Sequence, residues 1–186
     1  MPFHLHNPSR FARTLIALPD SDSPWMDSVK ISDWDSRITY IPSPSEPEDC
    51  SSPSKEEDPI CACRWWSVYD AAANISLHTT CGPDTALELS FVGSKVQLWG
   101  SISPEGALAY ATIDNDTSTA ATVNFNSTDG QTHNNDLLFD ISGLDPSRDH
   151  RLRLQYDTAS YGKQRRYMLV DWFVVTEDKG GSKGYA

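Results

Sequence analysis

The sequence predicts an all-β fold, a jelly-roll β-sandwich, on three observations. Apolar and polar residues alternate at a period of two through most of the chain. Clusters of Gly, Asn, Asp and Pro separate the alternating runs. No segment carries an apolar stripe at helical spacing. Many short strands with such punctuation fit two packed antiparallel sheets.

Residues 1–24 are expected to form a flexible leader. Their start, "MPFHLHNPSRFARTLIALPDS", bears Arg10 and Arg13, and its apolar centre "TLIAL" is shorter than a signal-peptide core of roughly 7–15 residues. Strand signal begins in "SVKISDWDSRITYIP". A Pro, Ser and acid-rich stretch follows, "PSPSEPEDCSSPSKEEDP", which cannot bury a core. It makes 42–63 a Cys-bearing loop inside a single sandwich domain over 25–176. In "LELSF", Leu87, Leu89 and Phe91 face one way; in "HRLRLQY", Leu152, Leu154 and Tyr156 do the same. "KVQLWG", "ALAYATID", "TVNFN" and "LLFDIS" are further strands, divided by "SPEG", "NDTST", "STDGQTHNN" and "GLDPSRD". "MLVDWFVVT" is the most apolar strand, yet Asp171 sits in its middle. The tail 177–186, "EDKGGSKGYA", is expected to be flexible.

Composition narrows the functions. Fifteen basic and 26 acidic residues give a formal net charge of −11, which repels nucleic acid and anionic membrane alike. No apolar run reaches the roughly 20 residues of a membrane-spanning helix. Three sequons, at Asn74, Asn115 and Asn126, are candidate glycosylation sites and point toward a secreted or cell-surface protein. Cys50, Cys61, Cys63 and Cys81 form an even set. Cys61-Ala62-Cys63 lacks the spacing of a zinc knuckle, so disulfides are the expected state, with Cys61 and Cys63 paired to Cys50 and Cys81 in either order. Free thiols are the alternative.

Several features together resemble a known family. They are the Phe-x-Gly turn into a strand ending in Gly within "SFVGSKVQLWG", then "IDND", the "GLDPSRDHRL" segment and the "LVDW" of the last strand. Over residues 28–176 the chain resembles the galactose-binding-domain-like β-sandwich of secreted and surface proteins of mushroom-forming fungi. That resemblance implies a structural carboxylate at Asp171, hydrogen-bonded at a corner of the sandwich, with Arg37 or backbone amides as partners. It also implies recognition through loops at one end of the sandwich.

Catalytic motifs are sparse. No Gly-x-Ser-x-Gly elbow is present, and nothing in the sequence joins His78, His133 or His150 to a serine. His150 opens an alternating strand, where a surface or edge place is expected. "DNDTST" lacks the Gly and distal Glu of a calcium loop, so no cofactor is expected and a structural calcium has no residue set to support it. For a sugar, aromatic faces beside fixed polar groups are needed. Tyr161, Arg165 and Arg166 in one basic segment, Asn134 in another loop, and the adjacent Trp65 and Trp66 are the candidate ligand-binding residues. The expectation is therefore a non-catalytic extracellular module, not an enzyme, that binds a glycan or cell-wall component. The alternatives are a protein-interaction or adhesion ectodomain, or a small hydrolase.

Overall fold

The computed structural model describes residues 26–42, 65–70, 75–160 and 166–178. The expected leader, most of the Cys-bearing loop and nearly all of the tail lie outside these residues, as do Asn74, Tyr161 and Arg165. The strands are β1 (Met26–Ser32), β2 (Ile38–Ile41), β3 (Trp66–Asp70), β4 (Ile75–Thr80), β5 (Ala86–Val92), β6 (Lys95–Ile102), β7 (Leu108–Ile113), β8 (Asp116–Asn124), β9 (His133–Ser142), β10 (Asp149–Tyr156) and β11 (Met168–Asp178). One antiparallel sheet has the order β3-β4-β11-β6-β9, with β1 also paired to β11. The other has the order β2-β5-β10-β7-β8. The all-β sandwich expected from the alternation is the fold, and it fits a galactose-binding-like jelly roll.

The alternation works as read. Leu87, Leu89 and Phe91 of β5, Leu152 and Leu154 of β10, and Ile113 of β7 are buried on the inner face of the five-stranded sheet. Val96, Leu98, Met168, Val170, Phe173 and Val175 face them from the other sheet and belong to the same core. Register balances volume. Tyr156 and Leu154 stand opposite Ala109 and Ala111, so a bulky side chain on β10 meets a small one on β7. Trp65, just before β3, is fully buried. Its Nε1–H donates to Ala86 O at 2.9 Å and reaches Ile41 O at 3.3 Å, which ties one sheet's edge to the other.

Turn chemistry fixes the hairpins. Asp114 and Asn115 have φ of 55° and 60°, and Ile113 pairs with Asp116 across them. Two consecutive left-handed residues make the type I′ turn whose twist suits a hairpin, and Asp and Asn tolerate that region best after Gly. In the "SPEG" turn, Gly106 N–H donates to Ser103 O at 2.9 Å. A Cβ at Gly106 would lie 1.7 Å from Phe125 O, so no other residue fits there without moving backbone. The segment read as one strand region from 28 to 42 is two strands, β1 and β2. They are separated at Asp33–Arg37, where Ile38 N–H donates to Asp35 O and Arg37 clasps Asp35 at 2.8 Å.

Strand β11 carries three partners. β6 lies along one of its edges from Val170 to Thr176. Along the other, β4 pairs with Met168–Val170 and β1 with Trp172–Asp178. The handover falls on Asp171, at a register shift between Val170 and Trp172, and Asp171 O accepts the N–H of Asp33 at 3.0 Å. The side chain of Asp171 is buried, and its Oδ2 has no hydrogen-bond partner among the described residues. Arg37, expected beside it, is held by Asp35 instead. Burial first, and the charge of Asp33 second, push the Asp171 carboxyl up from 3.8 to about 6, against the pull of Lys30.

Two outcomes follow from this packing. Leu154→Ala removes a fully buried side chain and is expected to lower unfolding free energy by roughly 2–5 kcal/mol, read by chemical denaturation. Asp171 has a folded value above its unfolded one, so its contribution is favourable below about pH 4 and is lost as pH rises through about 6. Stability is thus expected to fall between these limits. Asp171→Asn should flatten that fall, match the parent near pH 4, and exceed it at pH 7 by roughly 1–3 kcal/mol. Denaturation midpoints across pH 4–7 measure both.

Candidate functional site

The handover at Asp171 brings together groups that the sequence keeps far apart. β1 ends beside β11, and the chain turns through Asp33 and Trp34 toward β2. β4 lies on the same edge of β11, with His78 paired to Val170. Because Val170 faces the core, so does His78. The result is a buried polar cluster at one edge of the sandwich, between the inner face of β3–β4 and the β1–β2 turn.

His78 is at its centre. Its Nδ1 lies 2.9 Å from Asp33 Oδ2, and both side chains are nearly inaccessible, at 2% and 4% exposure. The ring stacks on Tyr40 at 4.4 Å and 19°, and the edge of Trp34 approaches it from another side, also at 4.4 Å. The Tyr40 hydroxyl donates to Asp33 O at 2.7 Å. Burial first, then the Asp33 charge, push the Tyr40 phenol well above its usual range, so it remains a neutral donor. The imidazole is thereby held by an acid on one side and by aromatic planes around it. A ring so clamped presents a fixed Nε2, the atom directed away from Asp33.

Two serines share its face. Ser67 of β3 is the cross-strand partner of His78, and Tyr69 is the partner of Ser76. Directly opposed residues in an antiparallel pair have Cβ atoms about 4.5–5.5 Å apart on the same side of the sheet. The Ser76 hydroxyl accepts the indole N–H of Trp34 at 3.1 Å. Trp34 and Tyr69 are 62% and 64% exposed, so two aromatic residues mark the solvent side of this cluster. A hydroxyl, an imidazole and a carboxylate in this order are the parts of a nucleophile–base–orienting-acid set.

Neither Trp34, Tyr69, Ser67 nor Asp33 appears among the candidates chosen from the sequence. β3 and β4 follow directly on the loop-like Cys-bearing segment, and no local motif connects Asp33, Ser67 and His78. The one available signal is "ISLHTT", in which Ser76, His78 and Thr80 share a face at period two.

Of the residues that were chosen as ligand-binding, Trp65, Trp66, Asn134 and Arg166 are described, and Trp66 and Asn134 lie at opposite edges of one sheet. Trp65 is a core staple with no exposed surface. Trp66 is half-buried against Tyr167, on β3 at one edge of the six-stranded sheet. Asn134 lies on β9 at the opposite edge, where its Oδ1 accepts from the Ser101 hydroxyl at 2.8 Å. Arg166 donates to Pro104 O at 2.7 Å. Among the sequons, Asn115 is exposed at the β7–β8 turn, and the Asn126 amide donates to Pro104 O at 3.2 Å. Cys81 is buried just after β4; Cys50, Cys61 and Cys63 lie outside the described residues.

His150 is not the surface residue expected. It is 4% exposed, with Nδ1 at 2.8 Å from Asp114 Oδ2 and Nε2 at 2.8 Å from Asp145 O. Asp114 also accepts the Arg151 N–H at 2.8 Å. Burial pushes its carboxyl up, but His150, the Arg151 amide and Arg148 together outweigh this and hold it below the usual range. These contacts engage Asp114 in the β7–β8 corner. Among the described residues, no three His, Cys, Asp or Glu side chains are arranged to hold a metal ion, and no helix is long and apolar enough to cross a membrane.

No protein-family model and no curated protein matches the chain. Solved structures do. A two-domain esterase active on acetylated mannans, co-crystallised with mannopentaose, aligns at 11% identity with a TM-score of 0.54, over 82% of this chain and 37% of that one. The same esterase without the sugar gives a TM-score of 0.52 at the same identity and coverage. A family two carbohydrate esterase from Cellvibrio japonicus aligns at 14% identity and a TM-score of 0.47, over 82% of this chain and 34% of that one. At such identities the likeness establishes the fold, and the chain spans little more than a third of these esterases. The finding nevertheless runs against the expectation of a non-catalytic module that is not an enzyme: the solved structures to which this sandwich is similar at a TM-score above 0.5 are those of a carbohydrate-active esterase.

Proposed function

We propose that the chain is an esterase-like module that cleaves small acyl esters on a polysaccharide, with Ser67 as nucleophile, His78 as base and Asp33 as the acid that orients it. The observation that carries this reading is the buried His78–Asp33 pair at 2.9 Å with Ser67 directly across the strand ladder. The esterase neighbours, one of them active on acetylated mannans, supply the substrate class.

The chemistry runs in two halves. Asp33 accepts Nδ1–H, which leaves the Nε2 lone pair to take the proton of the Ser67 hydroxyl as its oxygen attacks the acyl carbonyl. The carbon–oxygen bond to the sugar breaks, and the sugar oxygen takes the proton back from Nε2. Water then attacks the acyl-serine by the same route and releases the carboxylic acid. Trp34 and Tyr69 offer aromatic faces to the sugar beside the ester. The setting belonging to this reading is extracellular, as in the fungal surface proteins that the sequence resembles. Cys50, Cys61, Cys63 and Cys81 would then be disulfide-bonded, and Asn74, Asn115 and Asn126 would be available to glycosylation.

Acetate release from acetylated mannan and from an aryl acetate tests the proposal. The parent chain should release acetate from both. Ser67→Ala should abolish release, and His78→Ala should lower it by about 10²–10⁴-fold, with circular dichroism unchanged. An inactive parent, or Ser67→Ala at parental activity, would refute it.

A further inference from the structure

A second surface lies on the outer face of the five-stranded sheet. Because Leu152, Leu154 and Tyr156 point inward, Arg151, Arg153 and Gln155 point out, beside Tyr110 and Thr112 of β7. Here Tyr110, Thr112, Arg153, Gln155, Asp157 and Thr158 line an open groove of about 260 Å³. That is just below the roughly 300–1,000 Å³ of a drug-sized pocket, and it suits one unit of a chain that continues past both ends.

The groove is built around fixed groups. Asp157 is 7% exposed, and its Oδ1 accepts the Ala159 N–H at 2.9 Å. The charge of Asp157, and after it hydrogen bonding to that carboxylate, raise the Tyr110 phenol above its usual range. Tyr110 stands on the groove with 48% of its surface facing solvent. Arg153 is bonded to Glu88 at 2.6 Å, a carboxylate that Arg151 also approaches at 3.6 Å, and only contacts of 3.3 and 3.4 Å join Arg153 to Gln155. The floor thus offers an exposed aromatic face next to polar groups whose long contacts can be exchanged for a ligand's hydroxyls.

We infer that this groove binds a neutral oligosaccharide segment, with Tyr110 as the stacking platform and Arg153 and Gln155 as hydroxyl partners. It rests on the proposed function only in taking a glycan as the ligand. The charge balance selects a neutral one: Arg151 and Arg153 stand against Glu88 and Asp157, and the chain carries a net charge of −11. An acidic polysaccharide would be repelled. The groove lies on an outer sheet face, whereas His78 faces the sandwich interior, so the groove would hold the polymer without touching the reacting ester.

Calorimetric titration with mannopentaose and with an oligogalacturonate tests the assignment. Mannopentaose should bind, and the oligogalacturonate should bind at least ten-fold more weakly. Tyr110→Ala should weaken mannopentaose binding at least ten-fold, and Gln155→Ala by a smaller factor, with an unchanged circular dichroism spectrum. Should Tyr110→Ala fail to fold, Gln155→Ala and Tyr110→Phe carry the same test. Ser67→Ala, which leaves the buried His78–Asp33 pair intact, should bind as the parent does, so loss of hydrolysis and loss of binding are separate results. No mannopentaose binding, parental binding in both Tyr110→Ala and Gln155→Ala, or preference for the acidic oligomer would overturn the inference.

Discussion

The exchange of partners along one edge of β11 is the constraint on which the rest of this molecule depends. An internal strand must satisfy backbone groups along its whole length. Here β6 covers one edge, while β4 and β1 divide the other at Asp171. The register shift at that residue keeps Val170 and Phe173 both directed into the core, although they are three apart. A strict period of two would have sent one of them to solvent. The shift places Asp171 where the edge changes hands, and its carbonyl takes the first N–H of the departing β1–β2 turn.

That arrangement explains why polar groups collect inside an otherwise apolar sandwich. Asp33 leaves β1 at the handover and meets His78 on β4, which reaches the same edge from the other end of the chain's path. Each is affordable in the interior only because the other is there: a buried carboxylate without a partner costs several kcal/mol. The Tyr40 and Trp34 rings exclude water from the pair and hold the imidazole in plane. The Asp171 carboxylate lacks such a partner among the described residues, and its raised titration is the physical expression of that. Trp65 closes the same region by bonding across from β3 to β5 and β2.

The outer faces are treated differently. On the six-stranded sheet, Trp99 and Trp172 stack at 5.9 Å, and Lys30 Nζ lies 3.6 Å above the Trp172 ring, so aromatic surface is covered from within the sheet. On the five-stranded sheet, Tyr110 lies beside Asp157 in an open groove and is 48% exposed. Among the described residues, strongly exposed aromatic surface therefore lies at two places with different chemistry. One lies beside a Ser, His and Asp set, and the other over a charge-neutral polar floor.

How much of this could be read from the chain alone follows from what is local. Alternation in "LELSF" and "HRLRLQY" determined which residues are core, because pleating sends every second side chain to the same side whatever its partner. "IDND" and "SPEG" determined their turns through backbone preferences of two to four residues. The place of Asp171 at an irregularity was visible as a charge in an apolar strand, but its surroundings were not. Strand order decided those. Ser67 meets His78 only because β3 and β4 pair, and Asp33 joins them only because β1 and β4 share one edge of β11. Trp65, an attractive sugar platform as a sequence neighbour of Trp66, became a core staple because one of two adjacent strand residues must face inward. Pairing between distant segments has no local signature, so the candidate site was settled by tertiary structure, whereas the layered fold that contains it was written in the two-residue period.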